Sequence, residues 1–169
     1  MLNIPDECIH PVGRLQSQTS VPPLLGDPDE FNDLKGRPMW SAVSVQRDEL
    51  AAVLNAHRLI MRESHRSLLL ISPASANDED HFWEACQEYG LTTARRLNDD
   101  MPESRTQVFL ADSNDEMARW LSLSPVAFLG GSLVIGGKGS NPLPAASLGC
   151  AILYGPNIKN HLNAYSNLA

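Results

Sequence analysis

Apolar residues along this chain fall into short uninterrupted runs that alternate with longer segments of helical spacing. The runs predict strands at residues 39–45, 67–72, 91–97, 106–111, 124–130 and 150–155. The segments between them predict helices at 48–62, 77–89, 113–121 and 141–149, with a terminal helix at 157–167. Apolar strands that alternate with helices are typical of a parallel sheet covered on both faces. The pattern therefore predicts a three-layer α/β/α Rossmann-like domain with a parallel sheet of about six strands.

The first 38 residues have a different character. Helical spacing there is interrupted by Pro5, Pro11, Pro22, Pro23, Pro28 and Pro38. Only a short helix near residues 29–34 fits between them. We therefore expect an irregular arm or linker at residues 1–38 and one domain at residues 39–169.

A glycine-rich loop lies between the strand at 124–130 and the helix that opens on Asn141 and Pro142. Backbone amides left bare by glycine, beside the first turn of a helix, can bind a phosphate or another anion. The loop also has a purely structural interpretation, a tight connection in which glycines permit close packing. Lys138 favours the anion site, because its ammonium group is a suitable phosphate partner. The loop is not a P-loop, since Ser132 and Gly139 replace the first glycine and the magnesium-binding hydroxyl.

Composition narrows the class of protein. With 169 residues, 43% hydrophobic and 20% charged, the chain is typical of one globular domain. A formal charge of −7 argues against a general nucleic-acid surface. Cys8, Cys86 and Cys150 are far apart, which disfavours a disulfide framework or a zinc site. The sequence has no apolar run of about 20 residues and no secretion signal at its start, so we expect a cytoplasmic protein with at most peripheral membrane contact.

Most of the remaining chemistry-bearing residues have a structural explanation. His57 lies on the apolar side of a helix, which is typical of a core histidine. The acidic residues at 78–80 are placed to stabilise a helix first turn. The tryptophans are expected in the core or at an interface, and no serine or cysteine lies in a nucleophile motif. The sequence thus predicts no catalytic residue, no metal ligand and no cofactor.

Six segments in register resemble the C-terminal domain of the 3-deoxy-D-manno-octulosonic acid (Kdo) transferases. They lie at residues 36–44, 51–58, 108–117, 128–133, 141–143 and 154–160. The resemblance covers about residues 4–163. It implies one half of a B-type glycosyltransferase, the half that binds the donor CMP-Kdo, in enzymes that add Kdo to lipid A in bacterial lipopolysaccharide biosynthesis. In that family the N-terminal half carries the acceptor surface and the catalytic base, and this chain is expected to lack that half and to be inactive alone.

The sequence departs from the family at four donor-site motifs. Ser44 is followed by Val45, Gln46 and Arg47 where the family has a Ser-Thr-His loop leading to acidic residues. Ala74 and Ser75 replace the Arg and His of a Pro-Arg-His motif, so a phosphate cation is missing. In the glycine-rich loop Ser140 precedes Asn141 where the family has histidine. Pro144 replaces a glutamate suited to a ribose hydroxyl. The family's strand-end Asp and helix-start Glu are matched within 112–116, where helix capping is favoured over chemistry.

Two hypotheses follow from the resemblance and its gaps. In the first, the chain is a donor-binding domain for CMP-Kdo or CMP, and a separate polypeptide supplies the N-terminal half. The candidate donor-binding residues are then Ser44, Gly130, Gly131, Ser132, Lys138, Asn141, Gly155 and Asn160. In the second, the chain is a degenerate, non-catalytic domain that keeps the fold as a protein interaction module.

Overall fold

A computed structural model describes residue 34 and residues 36–96, 100–111 and 117–168. Six strands form one sheet: β1 (Met39–Val45), β2 (Leu68–Pro73), β3 (Thr93–Arg95), β4 (Val108–Leu110), β5 (Val126–Leu129) and β6 (Ala151–Tyr154). Their order across the sheet is β3-β4-β2-β1-β5-β6, and every neighbouring pair is parallel. The predicted parallel sheet of about six strands is confirmed.

Helices cover both faces of this sheet. They are α1 (Arg47–Glu63), α2 (Glu79–Glu88), α3 (Met117–Leu123), α4 (Leu143–Ser147) and α5 (Leu162–Leu168), with 3₁₀ turns at Ala76–Asp78 and Lys159–His161. On one face Leu54 of α1 and Phe82 of α2 pack against β1 and β2. On the other face Trp120 of α3 packs against β2 and β4, and Tyr165 of α5 packs near β5. The three-layer arrangement follows from these two apolar faces.

Several element boundaries differ from the sequence prediction. The helix expected at 141–149 is only five residues long, because Pro142 precedes it and Gly149, at φ 80°, follows it. The helices expected at 77–89 and 157–167 both begin as 3₁₀ turns. Residues 112–116, which carry the expected caps and carboxylates before α3, lie outside the described residues. So does most of the arm at 1–38, and its boundary stays a prediction.

The last strand is the clearest error in the prediction. Its fully apolar sequence is typical of a strand covered on both faces, but β6 lies at the edge of the sheet, where Leu153 and Tyr154 are about half exposed. Cys150 is buried, yet it precedes β6. Apolar sequence thus marked a strand without showing how many neighbours it has.

The topology defines where a ligand would bind. The chain runs outward from β1 through β2 and then reaches the far side of β1 with β5. Such a reversal creates a crevice at the carboxyl ends of the two central strands, the usual ligand position in open α/β sheets. The glycine-rich loop follows β5 at this crevice, and α1 begins there after β1.

Candidate donor site in the glycine-rich loop

The glycine-rich loop divides into two parts, which we call the inner half (residues 130–133) and the outer half (residues 134–140). The inner half is buried at Gly130, Gly131 and Ser132, whereas most of the outer half is exposed or half-buried. Both halves lie within the segment that the sequence predicted to bind an anion. Their hydrogen bonding differs sharply.

The inner half is occupied by a carboxylate from the chain itself. Oε2 of Glu49 accepts hydrogen bonds from the amides of Gln46 (2.9 Å) and Gly131 (2.7 Å). Oε1 accepts from Ser132 (2.9 Å) and Leu133 (2.8 Å). Glu49 is only 1% exposed. The amides of the inner half, which the glycine pattern predicted to bind a ligand phosphate, therefore already bind Glu49.

The start of α1 explains how Glu49 reaches this position. Ser44 turns the chain at the end of β1 with a φ of 55°, and Gln46 is the residue before the helix. Glu49 is the third helical residue, where a glutamate can reach back to the amide before the helix. It also lies on the same stripe of α1 as the buried residues Val53 and His57. The sequence motifs did not point to Glu49, although a glutamate on the apolar stripe of a helix was the available signal.

Close packing accounts for three of the glycines. A Cβ at Gly130 would overlap with the carbonyl oxygen of Ser44, one at Gly137 with that of Gly131, and one at Gly155 with that of Ser132. None of these contacts is with a flexible side chain. The structural interpretation of the loop, glycines that permit close packing, therefore holds for Gly130 and Gly137, and Gly155 packs against the loop in the same way.

Ser132 and Gly155 form an internal connection. The hydroxyl of Ser132 donates to the carbonyl of Leu129 (2.6 Å) and accepts from the amide of Gly155 (2.9 Å). The Ser132 side chain is fully buried. Both residues were candidate ligand contacts, and both use these polar groups to join the loop to the end of β6.

The outer half borders an open cleft with a volume of about 640 Å³. Opposite it lie Gln46, Arg47 and Asp48 at the start of α1, and Asp78. Of the eight candidate donor-binding residues, the cleft brings together Gly131 and Lys138. No described residue accepts a hydrogen bond from the amides of Gly136 or Lys138. This half of the loop therefore has donors that are still available.

Charge in the cleft is mixed. Arg47 forms an ion pair with Asp78 (2.6 Å), and its side chain stays about half exposed. Lys138 forms no ion pair with any described carboxylate. The Lys138 ammonium is thus the described cation of this cleft with the most freedom to meet a ligand anion. Asp78 is the residue before α2, and its side chain makes no capping hydrogen bond to that helix.

The other candidates lie outside the cleft lining. Ser44 is half-buried at the end of β1. The side chain of Asn141 accepts from the amide of Leu143 (3.1 Å), the first residue of α4. Asn160 is exposed in the 3₁₀ turn before α5. Their place in a donor site remains a prediction.

Ser140, predicted from the resemblance to stand at a histidine position of the family, braces the loop. Its hydroxyl donates to the carbonyl of Gly130 (2.9 Å), and its carbonyl accepts from the hydroxyl of Tyr165 (3.0 Å). Burial and, to a smaller extent, the nearby Tyr154 raise the pKa of Tyr165 to about 12. Ser140 therefore fastens the outer half to the inner half and to α5.

His57 is the core histidine that the sequence predicted. It is fully buried, and its Nδ1 accepts a hydrogen bond from Nε1 of Trp40 (3.1 Å). Burial lowers the pKa of His57 to about 4. The backbone of Gln107 opposes this shift in part, although Nε2 makes no hydrogen bond of normal geometry with a described residue. His57 is therefore uncharged at neutral pH and has a structural role in the core.

Other reactive groups are inert by burial. The pKa of the buried Cys86 thiol is raised to about 11, mainly by desolvation, and that of Cys150 is raised as well. A thiol with a raised pKa is a poor nucleophile at neutral pH. Among the described residues no three His, Cys, Asp or Glu side chains converge on a possible metal position.

Comparison with known proteins shows which family the chain resembles. No protein-family model matches the chain. It is 28% identical over 162 residues to a 3-deoxy-D-manno-octulosonic acid transferase of Haemophilus influenzae, a match that covers 94% of this chain. It is 26% identical over 138 residues to a probable mitochondrial transferase of the same name from Arabidopsis thaliana, covering 79% of this chain.

A solved structure supports the same relationship. The crystal structure of the C-terminal CMP-Kdo binding domain of WaaA from Acinetobacter baumannii matches with a TM-score of 0.75 and 30% identity. The match covers 79% of this chain and 69% of that domain. The chain belongs to the Kdo transferase family. Its resemblance to the family's C-terminal domain is thereby confirmed.

This Kdo transferase family member corresponds to part of its relatives. It spans 38% of the length of the H. influenzae protein and 31% of the A. thaliana protein. None of its described helices is long and apolar enough to cross a bilayer. The family assignment therefore applies to a C-terminal type of domain, and the reaction of a whole transferase is a separate question.

Proposed function

We propose that this domain binds the nucleotide-sugar donor of a Kdo transferase, CMP-Kdo, in the cleft beside the outer half of the glycine-rich loop. The observation that carries the proposal is the position of Lys138. Its ammonium borders the cleft at the carboxyl ends of β1 and β5, where open α/β sheets bind ligands. The solved domain that this chain resembles is described as CMP-Kdo binding.

The outer half has the chemistry that a phosphate requires. Amides at Gly136 and Lys138 are available as donors, and Lys138 adds a positive charge beside them. Lys138 thus stands in for the family arginine that Ala74 replaces. A single lysine is a point charge, whereas an arginine binds a phosphate with two parallel bonds. We therefore expect weaker donor binding than an intact motif would give.

We infer further that the domain does not catalyse transfer by itself. The acidic groups near the cleft have other roles: Asp78 pairs with Arg47, and Glu49 is buried beneath four amides. Asp48 lies in the first turn of α1, where an acidic side chain stabilises the helix start. A general base would therefore come from a separate N-terminal half, as the family's two-domain arrangement implies.

Ligand binding is tested by titrating the purified chain with CMP and CMP-Kdo while following its amide resonances. Movement at residues 134–140 below about 1 mM ligand, equivalent to about −4 kcal/mol, supports the proposal. Unchanged spectra at about tenfold higher concentration contradict it.

Lys138 is tested by comparing CMP with cytidine. Lys138→Ala should weaken CMP binding about tenfold, as expected for one charge-assisted hydrogen bond, and leave cytidine binding unchanged. Arg62→Ala is the matched control, since it removes a positive charge at the far end of α1. An equal loss of affinity for CMP and for cytidine would show that Lys138 does not contact the phosphate.

A second function, an interaction module, is favoured by apolar residues at the same end of the sheet. Leu133 is about half exposed, and Ile135 is fully exposed beside the cleft. Exposed apolar side chains that lie close together are typical of interaction surfaces. The module hypothesis is tested by mixing the chain with the N-terminal half of the H. influenzae relative. The module hypothesis is supported if the chain does not bind CMP but forms a complex with that half, and if Ile135→Asp abolishes the complex. It is excluded if the chain binds CMP but does not bind that half.

A further inference from the structure

The carboxylate of Glu49 makes the contacts that a bound anion would make. Its two oxygens accept four backbone hydrogen bonds of 2.7–2.9 Å. Three of the donors belong to consecutive residues, Gly131 to Leu133, which lie 82 to 84 residues away in the sequence. Successive amides that converge in this way form an anion-binding nest.

The nest holds this charge without a basic partner. No described Lys, Arg or His forms an ion pair with Glu49, which is nevertheless almost fully buried. Backbone donors and the first turn of α1 therefore provide its stabilisation. The same donors could bind a ligand phosphate, but they already bind the Glu49 carboxylate. The negative charge of that carboxylate would also repel a phosphate.

The outer half depends on the nest for its position. The carbonyl of Gly131 accepts from the amide of Gly139 (3.0 Å), and Gly137 packs directly against it. Ser140 donates to the carbonyl of Gly130 (2.9 Å). A change in the orientation of peptides 130–133 would therefore displace Lys138 and its neighbours.

We propose that Glu49 is a built-in anion that closes the inner half to ligands and positions the outer half for binding. It is a positioning residue, since it acts on a ligand only through the loop. Ligand phosphate is thereby restricted to the outer half, a statement that rests on the proposed function. The occupied nest itself does not depend on that function.

The decisive experiment replaces the built-in anion with a free one. Glu49→Ala removes the carboxylate and leaves the amides, so formate, which is planar and has two equivalent oxygens, should enter the nest. We expect formate to shift the amide resonances of Gly131, Ser132 and Leu133 in the variant. The wild type, whose nest is filled, and the control Glu63→Ala, which loses an exposed carboxylate from the same helix, should not respond there. A folded Glu49→Ala chain without formate-dependent shifts at these amides would overturn the proposal.

A second variant keeps the test valid if Glu49→Ala does not fold. Glu49→Gln has the same shape but turns an NH₂ group toward one pair of donor amides. Hydrogen exchange at residues 131–133 should then become at least about tenfold faster than in Glu63→Gln, corresponding to one lost hydrogen bond. Exchange rates equal to those of the control would contradict the role of Glu49.

CMP titrations separate this inference from the proposed function. If formate binds to Glu49→Ala and CMP does not change the wild-type spectra, the inference about Glu49 stands and the proposed donor binding is overturned. CMP binding to the wild type without any formate response in a folded Glu49→Ala chain would do the reverse. Where both hold, formate should restore part of the CMP affinity that Glu49→Ala loses and should not change that of Glu63→Ala.

Discussion

The two halves of the glycine-rich loop have similar sequences and opposite roles. The inner half is buried, its amides are bound to Glu49, and Gly130 packs against the backbone of Ser44. The outer half borders the cleft, keeps free donors and carries Lys138. A glycine-rich loop is therefore insufficient evidence for a phosphate site throughout its length. What matters is whether the chain has already supplied the anion.

The same contrast bears on the positions where the sequence resemblance predicted departures from the family. Ser140, predicted to stand at a histidine position of the family, lies in the outer half and donates to the carbonyl of Gly130. The residues that the chain shares with the family at 128–133 hold the loop in place. Sequence similarity in this loop thus reports on its architecture more directly than on its ligand.

The largest expected effect is on stability and comes from the inner half. Gly130→Ala would force a methyl group into the carbonyl of Ser44, a backbone atom that cannot move aside. We expect a loss of at least about 3 kcal/mol of unfolding free energy, measured by urea denaturation. A loss below about 1 kcal/mol would mean that the inner half is not close-packed.

The next effect is on pH dependence and concerns α1, which carries both Glu49 and His57. The pKa of His57 is lowered from 6.5 to about 4 in the folded chain. Above about pH 6.5 His57 is neutral in both states, and between about 6.5 and 4 only the unfolded chain binds the proton. The free energy of unfolding should therefore decrease as the pH is lowered through this window, by up to about 3 kcal/mol.

Two variants check the source of that pH dependence. His57→Phe should flatten the unfolding free energy between these pH values, whereas His65→Gln, which alters an exposed histidine, should not. Amide protection at residues 131–133 should decline together with global stability, because α1 supports the inner half. Amides at 136 and 138 should exchange fast throughout. Protection at 131–133 that stays constant while the fold weakens would separate the inner half from the core.

A smaller effect is expected at Ser132. Ser132→Ala leaves the buried amide of Gly155 without its acceptor, which costs about 2 kcal/mol. The comparison is Ser147→Ala, an exposed serine whose change should cost less than about 0.5 kcal/mol. Thermal or urea unfolding of the two variants measures the difference. Equal stabilities would show that the link between the inner half and β6 has little importance.

The smallest effect is expected in the outer half. Gly136 has a φ of 78°, and a Cβ there would meet no atom within 4 Å. Gly136→Ala should therefore cost only about 1 kcal/mol, the strain of a left-handed backbone. Urea denaturation beside Gly130→Ala provides the measurement. A cost as large as that of Gly130→Ala would abolish the distinction between the two halves.

Much of the architecture was predictable because it depends on local pattern. Apolar runs located all six strands, and the spacing of Leu50, Val53 and Leu54 located α1. Boundaries failed where proline and glycine shortened α4 and where 3₁₀ turns opened α2 and α5. Those details depend on a few hydrogen bonds at helix ends, which periodicity does not contain.

The candidate site was predictable only in outline. Glycine content and charge predicted the loop and Lys138, which line the cleft, whereas Ser132 and Gly155, predicted as ligand contacts, do not line it. Their polar groups satisfy each other instead. Nothing in the spacing of residues 132 and 155 indicates that pairing.

The sequence by itself determined the alternation of strands and helices, the place of the glycine-rich loop and the family. These properties follow from periodicity and from motifs of neighbouring residues. Only the tertiary structure decided that β6 is an exposed edge and that Glu49 fills the nest at Gly131 to Leu133. The reason is physical: a carboxylate finds its donors through space, and here those donors lie 82 to 84 residues away along the chain.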